Sequence, residues 1–233
     1  MRDFTWGDNG SVYFSVDRTS VGVLNTAVNV QSSLNQAAGD VFGSFLNGNN
    51  YLSTNQNQLG LIPLIGPSVN NTITPIDNMD GLTFIRNLAF APDFVLAPGS
   101  PTLSTIGATP SDILTSSVFG PVIAVNYQSL GLSQNDVIEG LAYLKTSREW
   151  LITLAPGSPT LNIIGATSSD ILYDYANGSN PGIYATYEEL GLLSSDNVDA
   201  IALVPEPSSA LLVGFGTLTI CAMRRFLFRR KRS

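Results

Sequence analysis

The chain has 233 residues, enough for one sizeable core or a string of repeats, and 44% hydrophobic content with only 12% charged residues excludes wholesale disorder. It has no histidine and a single cysteine, Cys221, which excludes a Ser-His-Asp triad, a histidine-based metal centre and a disulfide framework. The net charge of −7 is unevenly spread: all eighteen acidic residues precede Arg224 and six of the eleven basic ones follow Met223, so the acidic body argues against nucleic-acid binding.

The start, Met1–Gly10, has no apolar h-region and places Asp3 and Asp8 among its first eight residues, so it does not read as a secretory leader. The expectation is that a further N-terminal piece precedes it.

Duplication dominates the middle of the chain. Residues 96–114 (LAPGSPTLSTIGATPSDIL) and 154–172 (LAPGSPTLNIIGATSSDIL) agree at 16 of 19 positions, an offset of 58 residues. The match continues through Leu130-Gly131-Leu132 and Leu190-Gly191-Leu192. It extends to Asp136-x-x-Glu139-Gly140-Leu141 and Asp196-x-x-Asp199-Ala200-Ile201. An older copy lies upstream. Its parts are Val12–Val16, Asp40-Val-Phe42, Leu59-Gly60-Leu61 and Asp77-x-x-Asp80-Gly81-Leu82, with extra loop between them. Three units follow, about 11–86, 90–146 and 150–204, together forming one extracytoplasmic repeat domain over residues 1–204.

Each unit has short apolar runs between turn residues. In the middle unit these are Phe94–Ala97, Ile113–Ser116, Val122–Val125 and Gly140–Leu144. Runs of this length between Pro-Gly-Ser-Pro, Gly-Ala-Thr-Pro-Ser-Asp and Leu-Gly-Leu-Ser turns predict strands, with single helical turns at Tyr127–Leu130 and Tyr187–Leu190. The fold class is all-β, with tandem repeats of four short strands. Such a unit suits a propeller-like or other radially repeated β form, with a three-fold prism-like or trefoil-like closure as the rival.

The acidic turns are the sharpest chemical feature. Asp77/Asp80, Asp136/Glu139 and Asp196/Asp199, beside Asn78, Asn135 and Asn197, supply hard oxygen atoms of the kind calcium takes. Asp40, Asp112 and Asp170 add one more carboxylate per unit. The other reading is that these residues cap their own backbone in Asx-turns, and the spacing fits no EF-hand loop. Calcium is therefore the only cofactor left open. Ser100 and Ser158 have no histidine or nearby lysine to activate them and read as turn residues. Glu188, Glu189 and Asp174 are close in sequence, but nothing places them across a cleft as a glycosidase needs. Trp6, Trp150, Tyr173, Tyr175, Tyr184 and Tyr187 read either as core or as stacking platforms for sugar rings.

The last thirty residues differ in kind. Pro205-Glu206-Pro207 comes first, then an uncharged stretch over 208–223, then a basic end over 224–233 with Arg224, Arg225, Arg229, Arg230, Lys231 and Arg232. The apolar stretch predicts a short transmembrane helix, about 24 Å long at roughly 1.5 Å per residue. The basic end acts as a membrane stop and stays cytoplasmic by the positive-inside rule, leaving the acidic body outside. Pro205 and Pro207 prevent the helix from continuing backwards. This order of parts over residues 205–233 resembles the PEP-CTERM sorting signal. The resemblance implies an exosortase-like partner acting near Pro205-Glu206-Pro207. It also implies the envelope of a Gram-negative bacterium that makes exopolysaccharide, with inner-membrane anchoring before processing and a surface or extracellular location afterwards.

The body then reads as a non-catalytic surface or extracellular-matrix protein that binds polysaccharide, other envelope proteins or calcium. The alternatives are an exported carboxylate-dependent hydrolase acting on glycans, and a permanently anchored binding or sensor protein.

Overall fold

A computed structural model of the chain describes residues 3–6, 12–45, 47–61, 77–84 and 92–202, the first four by backbone alone. Three four-stranded antiparallel sheets follow one another along the chain, each a simple meander. The first holds β1 (Asp3–Trp6), β2 (Val12–Ser15), β3 (Val41–Ser44) and β4 (Tyr51–Thr54). The second holds β5 (Met79–Thr83), β6 (Asp93–Leu96), β7 (Ile113–Ser117) and β8 (Gly120–Val125). The third holds β9 (Ile138–Leu144), β10 (Glu149–Leu154), β11 (Ile171–Asp174) and β12 (Gly182–Ala185). Four short helices interrupt the strands: α1 (Ala27–Ser33), α2 (Gln56–Leu59), α3 (Pro101–Ile106) and α4 (Pro159–Ile164). The described chain is thus mostly antiparallel β-sheet. Among the described residues no helix is long and apolar enough to cross a membrane. The expected span 208–223, the motif Pro205-Glu206-Pro207 and the basic end lie outside the described residues.

The four apolar runs of the middle unit coincide with β6, β7, β8 and β9, but they do not share a sheet. Sequence repeat and sheet are out of phase. The first two repeats each supply the second, third and fourth strands of one sheet and the first strand of the next, and the third supplies β10, β11 and β12. The first strands lie side by side, β1 against β5 and β5 against β9. Covalent continuity across each sheet boundary therefore ties neighbouring sheets together.

The core lies between the sheets, and the period-2 alternation of strand side chains explains how the second sheet serves two partners. Phe94 and Leu96 on β6 pack with Tyr13, Val41, Met79, Leu82 and Leu114, toward the first sheet. Val95, between them, packs with Ile138, Leu141, Ile152 and Leu172 of the third sheet. All three β6 residues are fully buried. A smaller cluster of Phe14, Val16, Val28, Ala37 and Phe42 covers the other side of the first sheet.

β-Bulges recur at fixed repeat positions. The pairing slips at Val41/Phe42, Ile113/Leu114 and Ile171/Leu172, one slip per sheet just after the aspartate of the repeat. It also slips where β5 and β9 begin: Met79 and Gly81 face Leu96 and Val95, and Ile138 and Gly140 face Leu154 and Thr153. Asp80 and Glu139 are the extra residues of those two bulges, set out of the ladder.

The Pro-Gly-Ser-Pro turns lead into helices α3 and α4, where the sequence reading has only turns. Pro101 and Pro159 occupy the first helical turn, and Gly107 and Gly165 close the helices in the left-handed conformation. The Tyr127 and Tyr187 segments are single helical turns, with Leu130 N–H donating to Asn126 O and Leu190 N–H to Thr186 O. The Leu-Gly-Leu motif ends them the same way in every repeat. Leu61, Leu132 and Leu192 N–H donate to the carbonyls of Gln56, Tyr127 and Tyr187 over 2.8, 2.9 and 2.8 Å.

Candidate functional site

The acidic turns sit where each repeat hands over to the next sheet, and their first carboxylates face the following short helix. Asp77 Oδ1 accepts the Thr102 N–H at 3.0 Å, and its Oδ2 accepts the Thr102 hydroxyl at 2.6 Å. One repeat later Asp136 Oδ1 accepts the Thr160 N–H at 3.0 Å, while its Oδ2 accepts the Ser133 N–H at 2.7 Å and the Thr160 hydroxyl. Both aspartates are fully buried. Main-chain donors and a hydroxyl at a helix start satisfy them, and this is where carboxylates are most favourably held.

The serines of the Pro-Gly-Ser-Pro turns complete the latch. Ser100 Oγ accepts the Asn78 N–H at 3.1 Å, and Ser158 Oγ accepts the Val137 N–H at 3.2 Å. Ala97 and Ala155 N–H donate back to the carbonyls of Asn78 and Val137, at 2.8 and 2.9 Å. Ser100 and Ser158 are buried and serve the backbone, as the turn reading expects.

The second acidic residue of each turn takes a different place. Asp80 Oδ1 accepts the side-chain amide of Asn78 at 3.0 Å. Glu139 Oε2 accepts the side-chain amide of Asn197 at 2.7 Å, a bond 58 residues long in sequence that joins consecutive acidic turns. Asp196 Oδ2 accepts the Leu193 N–H at 2.8 Å, and Asp199 is exposed. Of the six candidate calcium ligands, Asp77 and Asp136 thus adopt the capping role. Among the described residues no three acidic, cysteine or histidine side chains gather to hold a metal ion.

The third aspartate of each repeat ties its strand to the helical turn. Asp112 accepts the Tyr127 N–H at 2.7 Å on Oδ1, and the Thr109 N–H and hydroxyl at 2.7 and 2.9 Å on Oδ2. Asp170 repeats this with Tyr187 and Thr167. In the oldest copy Asp40 Oδ1 accepts the Gln56 N–H at 2.6 Å, but Ala37 stands where the threonines stand, and Oδ2 has no partner. Burial pushes the Asp40 carboxyl up to about 6, against the pull of the Gln56 N–H.

Three acids of the third repeat are used locally. Glu189 accepts from Thr186, Glu188 from the Tyr187 hydroxyl, and the buried Asp174 from the Ala176 N–H. Each bond spans three residues or fewer, so this trio forms no pair across a cleft. Burial raises the Asp174 carboxyl, while the Tyr175 hydroxyl and Ser147 hold Glu149 low. Trp150 is core, its ring 4.9 Å from that of Tyr143. Tyr175 and Tyr184 are exposed, and the Tyr173 and Tyr175 rings meet edge to face. The side chain of Trp6 lies outside the described residues.

The aspartates are visible in the sequence, but their partners Thr102, Thr160, Thr109 and Thr167 are not singled out by it. All four belong to the 19-residue duplication as bare identities, Thr102 matched by Thr160 and Thr109 by Thr167. A Thr two residues into a short helix that begins Ser-Pro is the signal that would have found the first pair.

No family model matches the chain, and no curated protein matches it.

Proposed function

We propose that the protein is an exported, non-catalytic surface or extracellular-matrix protein, delivered by its tail to an exosortase-like enzyme. The observation that carries this reading is the order of parts over residues 205–232: Pro205-Glu206-Pro207, an uncharged apolar stretch, and six basic residues. An apolar stretch of that length is short for a permanent span, and the basic end fixes its orientation with the acidic body outside. A processing enzyme in the inner membrane is the partner, and exopolysaccharide is the material the mature body meets.

The body in this reading is a radially repeated, propeller-like array of four-stranded sheets. Support comes from the three meanders, from the side-by-side first strands, and from the one-strand offset between repeat and sheet. Asp77, Asp136, Asp112 and Asp170 are occupied with the chain's own main-chain donors and hydroxyls, which suits a rigid display scaffold.

The test is replacement of Pro205, Glu206 and Pro207 together by alanine in the producing cell. The proposal predicts that the variant stays in the inner membrane while the parent reaches the surface. Equal surface delivery of both would remove the sorting reading.

A further inference from the structure

Residues 196–202 repeat a structural situation that occurs twice earlier in the chain, with one component absent among the described residues. β5 and β9 each begin just after an acidic turn. Each is paired by the strand that follows it, β6 or β10. The turn after that strand returns a serine and a threonine to the same acidic turn. The third acidic turn is held in the same way as the second. Val198 N–H donates to Ser168 O at 3.1 Å, as Ile138 N–H donates to Pro110 O at 3.2 Å. A Cβ on Gly81 would lie 3.2 Å from Leu141 Cβ, and one on Gly140 would lie 3.2 Å from Ile201 Cγ1. Ile201 therefore packs on the third sheet as Leu141 packs on the second. Yet residues 196–202 join no sheet, and Asp196 Oδ1 has no partner among the described residues.

We propose that residues 196–202 form a docking strand for another polypeptide that carries the repeat's own strand-and-turn element, an apolar strand ending in Leu-Ala-Pro-Gly-Ser-Pro-Thr. The site continues the sheet-to-sheet interface already formed by β5 and β9, and its chemistry selects this occupant. Asp196 takes a threonine N–H and hydroxyl, the Asn197 main chain supplies a donor for a serine Oγ, and the backbone of 198–202 pairs with the incoming strand. Ala200 adds a restriction. It stands where Gly81 and Gly140 stand, and a Cβ at those glycines would lie 2.9 Å from Val95 Cγ2 and 2.6 Å from Thr153 Oγ1. The incoming residue opposite Ala200 must therefore be small.

The probe is a carrier-fused peptide with the sequence of residues 149–166 carrying Thr153→Ala, titrated into the full-length chain. Saturable binding is expected, together with new hydrogen-exchange protection at the amides of 199–202. Affinity should fall at least tenfold when the peptide also carries Ser158→Ala and Thr160→Val, and at least tenfold when the chain carries Asp196→Asn, since each change removes charge-assisted or buried hydrogen bonds. No saturable binding, affinity indifferent to those changes, or protection confined to 138–144 through exchange with the chain's own strand would overturn the proposal.

Discussion

Buried aspartates decide where this chain stores its stability. Asp136 accepts the Thr160 N–H and hydroxyl inside the fold and the half-buried Ser133 N–H, which also donates to the Thr160 hydroxyl oxygen. Removing it strands the two Thr160 donors, at about 1–3 kcal/mol for each buried group left unsatisfied. Asp136→Ala should therefore lower the unfolding free energy by about 2 kcal/mol or more. Asp196→Ala, which frees a single donor at a half-exposed site, should cost less than about 1 kcal/mol. Denaturant midpoints of the two variants measure the difference.

Asp40 behaves in the opposite sense because burial disfavours its charged form. Its folded-state carboxyl is raised from 3.8 to about 6, so the folded chain binds more protons than the unfolded one between those values. Its contribution is full below 3.8 and is lost as pH rises through about 6. Two units at 1.36 kcal/mol each give roughly 3 kcal/mol. Asp40→Asn keeps an acceptor for the Gln56 N–H and removes the titration. Relative to the parent, the variant should gain about 2 kcal/mol in unfolding free energy between pH 4 and pH 7. A constant difference across that range would show that Asp40 does not titrate there.

At the scale of elements, the strands were legible and the helices were not, for physical reasons. Ile113–Ser117 and Gly120–Val125 are apolar runs bounded by turn residues, and a strand of that length is the simplest use of such a run. Pro101–Ile106 makes fewer than two helical turns, too few for a 3.6-residue periodicity to emerge. The carboxylates of the site were equally legible, but the direction in which each one points was not. Whether Asp77 faces a cation or the Thr102 amide depends on the helix that the turn conceals. The glycine of the Leu-Gly-Leu motif gives a test at this scale. Gly131 has φ of 61°, and a Cβ there would run into the Ser179 carbonyl. Gly107 has φ of 70° with nothing within 4 Å of such a Cβ. Gly107→Ala should cost about 1 kcal/mol from its backbone conformation alone, and Gly131→Ala clearly more. Thermal unfolding of the two variants separates backbone strain from crowding.

At the scale of the whole molecule, the repeat and the tail have separate tasks. The one-strand offset makes neighbouring sheets depend on each other, so the body is held by contacts that the duplication itself carries. In the function we propose, the tail, with its apolar stretch and basic end, serves delivery. The intact mass of mature protein taken from the native cell surface tests the central claim most directly. The account predicts a C-terminus near Pro205–Pro207, with the apolar stretch and basic end removed. A C-terminus at Ser233 in the surface-exposed protein would contradict it and make the tail a permanent anchor.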